Sequence, residues 1–322
     1  MEVDIRPTED LLITPGVKYV HWDHSVNAPV EQGNGCGLDL ACAPYNNLGQ
    51  DFQQSFITRD TLPFVQINYK LDTSWSVYGE YAKGIYVPDI SAFEQPNALL
   101  SLPKAETTTN FQVGTVYYAD NFNFDADVYY IPINNNIVPA ACSYDVNETC
   151  LVNDGSATYE GIEGEGTYAF NTLFGNDVQG LSMFVNGALM RSVQGGTAKS
   201  ALGSSLWEPN APVWTGALGI LYQQPDGWKF GLIEKYTGQQ YSDTNNVKLY
   251  ELPAYGDLSA IVGYAFGNLE FDVSADNLTN SREATLITEA TTGVPAASPL
   301  TSLDQYFFQA PRSFQFTLKA HL

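Results

Sequence analysis

The chain has 322 residues, 44% of them hydrophobic, with 14 Lys and Arg against 36 Asp and Glu and a formal net charge of -22. That apolar content excludes disorder, and the longest apolar stretches, such as "AIVGYAF" at 260–266, fall far short of the ~20 residues of a membrane-spanning helix. The acidity argues against nucleic acid as a partner and against adhesion to anionic headgroups, although an acidic surface also serves solubility.

After Met1, "EVDIRPTEDLL" has neither a basic nor an apolar region, so no signal peptide is expected. The leader has been removed, or the chain begins partway through a longer protein. From there the pattern is strand alternation, with no convincing helix. A stub at Glu2–Arg6 is followed by Leu12–Asp23, Leu62–Lys70, Trp75–Tyr86, Thr108–Tyr118 and Phe124–Ile133. Thr158–Phe170, Gln179–Val193, Pro212–Gln223, Trp228–Ser242, Leu249–Phe266, Leu269–Leu286 and Tyr306–Leu322 complete about thirteen runs.

Every second connection is a tight turn: "PTED" (7–10), "LDTS" (71–74), "ADNFN" (119–123), "LFGND" (173–177), "QPDG" (224–227) and "GN" (267–268). The others are long, as at 24–61, 87–107, 134–157 and 287–305. Turns at one end and loops at the other describe an outer-membrane barrel, whereas a soluble sandwich has no reason to sort its connections. The apolar side of each strand then faces lipid. The acids of "LEFDVSAD", Glu270, Asp272 and Asp276, face the lumen. Tyrosine pairs such as Tyr117–Tyr118 and Tyr129–Tyr130 suit an interfacial belt, although tyrosine also favours strands as such. The last run, "SFQFTLKAHL", closes a barrel by pairing with a first strand.

Four cysteines form two local pairs, "CGLDLAC" (Cys36, Cys42) and "CSYDVNETC" (Cys142, Cys150), read as loop disulfides in an oxidising compartment. A metal site is the rival. His21, His24 and His321 are the chain's only histidines, none is near either pair, and the spacing is wrong for a zinc ribbon. No metal or other cofactor is expected.

Spaced segments in order resemble the TonB-dependent outer-membrane receptors. "RPTEDLLITPGVKYVHWDH" (6–24) resembles a strand–turn–strand segment of that family, and "YGEYAKGIYVPDI" (78–90) its aromatic Gly-Pro segment. "NFQVGTVY" (110–117) is similar to a strand that carries an acid where Gln112 stands here. "EKYTGQQYSDTNNVKLYELPAYGDLSAIVGYAF" (234–266) resembles a late hairpin, and "VSADNLTNSREATL" (273–286) a segment with a tyrosine near the place of Ala284. "APRSFQFTLKAHL" (310–322) is similar to the closing strand, with Leu322 in place of the usual aromatic.

The resemblance implies an all-β, antiparallel transmembrane β-barrel. Residues 1–322 form its C-terminal, about thirteen-strand part, with no plug domain in this chain. The whole barrel of the family has 22 strands. It further implies an outer-membrane receptor importing a scarce bulky nutrient, a siderophore, cobalamin or glycan. That import draws energy from the TonB complex through an N-terminal plug. Outer-membrane lipid and an extracellular small-molecule or glycan ligand are the remaining partners.

Binding followed by a switch needs no bond chemistry, so no catalytic residue is expected. Neighbours such as Glu234 and Lys235 point to opposite faces of a strand, and Glu270 and Asp272 read as solvated lumen charges. Candidate ligand contacts are Trp207 and Trp214 in "GSSLWEPNAPVWTG" and Tyr45, Asn46 and Asn47 in "APYNNLGQDF". There aromatic faces and amides can stack on and hydrogen-bond a ligand, while loop packing and girdle anchoring explain the same residues. A porin of about twelve strands is the alternative function, and a soluble β-sandwich binding module or an enzyme on a barrel are further rivals. The enzyme lacks a Ser/His/Asp arrangement in the sequence.

Overall fold

The computed structural model describes residues 1–28, 52–88, 104–141, 149–153, 155–173, 176–195, 205–224, 227–288 and 304–320. In chain order the strands are β1 (Leu11–Ala28), β2 (Phe52–Lys70), β3 (Trp75–Tyr86), β4 (Glu106–Tyr118), β5 (Phe122–Asn134), β6 (Ile137–Ala141), β7 (Thr149–Asn153), β8 (Ser156–Leu173) and β9 (Asn176–Gln194). They continue as β10 (Trp214–Gln223), β11 (Trp228–Thr237), β12 (Gln240–Tyr241), β13 (Glu251–Leu252), β14 (Tyr255–Phe266), β15 (Leu269–Asp276), β16 (Ala284–Thr288), β17 (Gln305–Phe308) and β18 (Ser313–Ala320).

Twelve of them form one antiparallel meander in the order β1-β2-β3-β4-β5-β8-β9-β10-β11-β14-β15-β18. The pairs β6-β7, β12-β13 and β16-β17 stand apart, all in connections at the long-loop end. The six tight turns read from the sequence all lie at the opposite end. In the first of these between strands of the sheet, Asp72 Oδ1 accepts the backbone N–H groups of Ser74 at 2.7 Å and Trp75 at 2.9 Å, which is the local bond that makes Asp a turn residue.

Some sequence boundaries are corrected. The stub is no strand of the sheet: it runs along the outer edge of β1 through the bridges Glu2↔Gly16 and Ile5↔Ile13. The run Leu269–Leu286 divides into β15 and β16 because Asn277 turns left-handed at φ 49. Its side-chain amide then donates to the carbonyls of Ser281 and Ala310. The final run likewise divides into β17 and β18 around Pro311, which has no N–H to continue a ladder. Leu249–Phe266 begins with a single 3-10 turn at Lys248–Tyr250 before β13 and β14.

Because side chains alternate, the register sorts the sheet into two faces. Val113, Val128, Ile162 and Leu189 lie in cross-strand line on one face, where Val185 also pairs with Leu218 and Phe230 with Val262, and Phe316 lies on it farther along. All are large, apolar and exposed, Val113 at 62% and Phe316 at 69%. A water-soluble protein does not expose an apolar face of this extent; a lipid-facing wall does.

Aromatic rings border that face at both ends. Near the short turns stand Trp75–Tyr117, Tyr222–Phe230 and Trp228–Tyr264, with ring centroids 6.1, 4.8 and 5.1 Å apart. Toward the long loops stand Tyr81–Phe111, at 5.3 Å, and Trp214–Tyr236, stacked at 3.8 Å. From Trp228 to Tyr236 a strand advances roughly 26 Å at ~3.3 Å per residue, comparable with the ~25 Å apolar band of an outer-membrane barrel.

Candidate functional site

The opposite, inner face is built from pairs of glycine and aromatic residues. Phe64 lies over Gly16 and Tyr78 over Gly114, each directly across the strand boundary; a Cβ at either glycine would overlap the ring. Glycine lets a large ring lie flat along the wall instead of rising into the lumen.

Tyr78 reaches across β4 and donates from its hydroxyl to Asp127 Oδ2 at 3.1 Å. Asp127 faces Glu163 in register, and Asp125 faces Glu165, so two like-charged pairs stand side by side on β5 and β8. Asp127 is 9% exposed, and its Oδ1 has no hydrogen-bond partner among the described residues. These four acids, Tyr78, Asn186 and Thr215 line a hollow of about 440 Å³. Sequence reading passed them over. The available signal was "DNFNFDAD" (120–127) with "EGEG" (163–166), where acids two apart on neighbouring strands share one face.

A second charged group lies near the short turns of β11, β14, β15 and β18. Lys229 contacts both Glu270 and Asp272, the latter at 2.8 Å, and Lys319 contacts the same two acids at 3.2 Å. Glu270 and Asp272 do face the inner side. They are ion-paired, however, and the Asp272 side chain is only 6% exposed, so the reading as solvated lumen charges is corrected. Glu234 and Lys235 point to opposite faces as expected, with Glu234 set between Leu218 and Leu258 on the outer one.

The long-loop end carries the apolar core formed by Tyr250, Leu252 and Ile287, with Val247 and Ala284 packed on it. Trp207 joins this assembly through its backbone. Its N–H donates to Asn246 Oδ1 at 2.6 Å, and Asn246 Nδ2 donates back to its carbonyl at 3.0 Å. Gln194 Nε2 donates to the carbonyls of both Trp207 and Thr244. Asp243 accepts the N–H groups of Asn245 and Val247, each at 3.0 Å. Burial raises the Asp243 carboxyl above the ordinary carboxylate range, against the opposing pull of those N–H groups.

The candidate ligand residues are thus separated. Trp207 belongs to the long-loop assembly, whereas Trp214 stacks on Tyr236 on the outer face, in the aromatic border. Tyr45, Asn46 and Asn47 lie outside the described residues, as do Cys36, Cys42 and Cys142; Cys150 is on β7, opposite Ala140. Among the described residues no three His, Cys, Asp or Glu side chains are placed to hold a metal ion.

Comparison with known proteins agrees with this two-faced wall. Residues 1–278 match the family model described as TonB dependent receptor-like, beta-barrel. The ferric yersiniabactin uptake receptor FyuA from Yersinia pestis is similar in structure, with 18% identity and a TM-score of 0.70 over 99% of this chain and 44% of that one. The ferric-catecholate import receptor Fiu from E. coli K12 gives 17% identity and 0.71, over 100% of this chain and 44% of Fiu. The siderophore receptor PiuA from Acinetobacter baumannii gives 16% and 0.71, over 99% and 42%. The chain therefore spans less than half the length of these solved structures. With a lipid-facing outer surface, a charged inner one and sorted connections, it belongs to the TonB-dependent receptor family of outer-membrane β-barrels.

Proposed function

We propose that this wall is part of an active-transport receptor that takes a scarce bulky nutrient, a siderophore, cobalamin or glycan, across the outer membrane with energy supplied through TonB. The observation that carries the reading is the twelve-strand sheet itself, apolar outside and charged inside, matched over nearly its whole length by siderophore receptors. Trp207, on its braced long-loop assembly, and Tyr45, Asn46 and Asn47 are the ligand contacts in this reading. The cysteine pairs Cys36–Cys42 and Cys142–Cys150 close their loops as disulfides. Function is binding and gated release, and the wall takes part in no bond-breaking step.

A passive porin of about twelve strands fits less well. Such a barrel closes by pairing its terminal strands, and among the described residues β1 and β18 stand at opposite ends of the sheet order without pairing. The test is uptake of labelled ferric siderophores, cobalamin and oligosaccharides by cells with and without the gene, each with and without TonB. Uptake of one of them that requires both is the expected result. Entry that needs the gene but proceeds without TonB would replace the receptor with the porin.

A further inference from the structure

We propose that Glu234, on the lipid side of β11, seats a lipid headgroup that carries an ammonium, in the leaflet at the long-loop end. The site lies on the outer wall and is independent of any transported ligand.

Glu234 stands between Leu218 of β10 and Leu258 of β14 in register, with Leu232 and Tyr236 on the same side of its own strand. It is two residues, roughly 7 Å at ~3.3 Å per residue, inside the border marked by the stacked rings of Tyr236 and Trp214. A bare carboxylate at that depth is costly in hydrocarbon. Its side chain lies back toward the border. A Cβ at Gly256 would overlap Glu234 Oε1, and Gly256 is the register partner of Tyr236. The charge is thus offered at the edge of the apolar band, beside an aromatic ring.

Nothing in the wall answers that charge. Glu234 makes no ion pair among the described residues. Its outward neighbours across the strand boundaries, Gly216, Leu218, Gly256 and Leu258, are uncharged, and Lys235 points to the inner face. The other outward acids on the long strands are placed differently. Glu160 is held by Arg191 at 2.5 Å. Asp23 follows His21 on β1, past Tyr19, where the apolar outward run has ended.

A carboxylate beside an aromatic ring selects an ammonium, the acid by charge and the ring by cation–π attraction. Tyr236 supplies the ring, with Trp214 stacked on it at 3.8 Å. The net charge of -22 acts in the same direction, since it attracts cations and repels anionic headgroups. The height of the site names a lipid as the occupant: tyrosine and tryptophan border a membrane at the level of its headgroups. Below Glu234 the exposed Leu218, Ile220, Leu232 and Phe230 offer acyl chains a continuous apolar surface.

The test uses the whole receptor purified from outer membranes in an uncharged maltoside detergent. Native mass spectrometry measures its retention of dioleoylphosphatidylethanolamine. The controls are the N-acetylated form, which keeps the phosphate and loses the ammonium, and dioleoylphosphatidylglycerol. Retention of the amine lipid is expected to be about tenfold tighter than of either control, the worth of one charge-assisted contact. Glu234→Gln abolishes the preference, Glu234→Asp keeps a preference, and Tyr236→Leu reduces it. Glu160→Gln, at the outward acid already paired with Arg191, leaves it unchanged.

Equal retention of the amine lipid and its N-acetylated form by the wild type would overturn the proposal without any variant. So would a full preference in a Glu234→Gln receptor that still migrates as a folded barrel on gels. If Glu234→Gln releases a co-purified protein while lipid retention is unchanged, the occupant is a basic side chain of that protein and the lipid seat is refuted.

Discussion

Tyr78 and Gly114 form a joint across β3 and β4: the ring lies over the glycine, and beyond it the hydroxyl donates to Asp127 Oδ2 at 3.1 Å. Gly114→Val should force the ring off its seat, at about 1–3 kcal/mol for the overpacking. Tyr78→Phe keeps the joint but leaves a buried carboxylate oxygen without its donor, at about 1–3 kcal/mol. Urea unfolding in lipid vesicles, followed by tryptophan fluorescence, measures both. A Tyr78→Phe wall as stable as wild type would mean that water replaces the hydroxyl.

The opposed pairs Asp125–Glu165 and Asp127–Glu163 place like charges across one strand boundary, an arrangement that costs roughly 0.2–1 kcal/mol per pair. Glu163→Gln should therefore stabilise the isolated chain at low salt. The gain should fade between about 0.01 M and about 1 M salt, as the screening length falls from ~30 to ~3 Å. A salt-independent gain would point to packing instead of repulsion.

Lys229 and Lys319 serve the same acids unequally. Lys229 and Asp272 have side-chain exposures of 19% and 6%, against 48% for Lys319. Removing the less exposed cation leaves the buried Asp272 and its neighbour Glu270 to the half-exposed Lys319 alone, so Lys229→Met should cost up to about 3 kcal/mol. Lys319→Met should cost distinctly less, because water screens that contact. The comparison can be read from the temperature at which the folded, fast-migrating form is lost on gels, and equal losses would contradict the ranking.

Asp243 gives the long-loop assembly a pH dependence. Burial raises its carboxyl above the value of an unfolded chain, so the folded loop binds the proton more tightly. Stability from this group is gained as pH falls through the folded pKa and lost as pH rises through it. Hydrogen exchange at Val247 and Tyr250 should accordingly slow, after correction for intrinsic rates, as pH falls through the raised pKa toward that of the unfolded chain. In Asp243→Asn the difference should vanish.

The membrane-spanning part of the fold was legible in the sequence because lipid demands a strict two-residue alternation over each strand. Phe314, Phe316 and Leu318 show it as clearly as Leu269, Phe271 and Val273, and all six face outward in register. The long-loop end was not. Once strands rise above the apolar band, alternation stops being required, so the run beginning at Leu249 concealed a 3-10 turn and a two-residue strand. Trp207 and Trp214, alike by composition and close in sequence, ended in a braced loop and an aromatic border respectively.

Alternation and turn chemistry, both local, determined which residues meet lipid and which line the lumen. Only the tertiary structure decided which inner residues become neighbours. Asp127 meets Glu163, Lys229 meets Asp272, and Lys18 shares a hollow with Phe64 through registers set between different strands. A register depends on pairing partners distant in the chain, and a shift of one residue would turn each of these side chains to the other face.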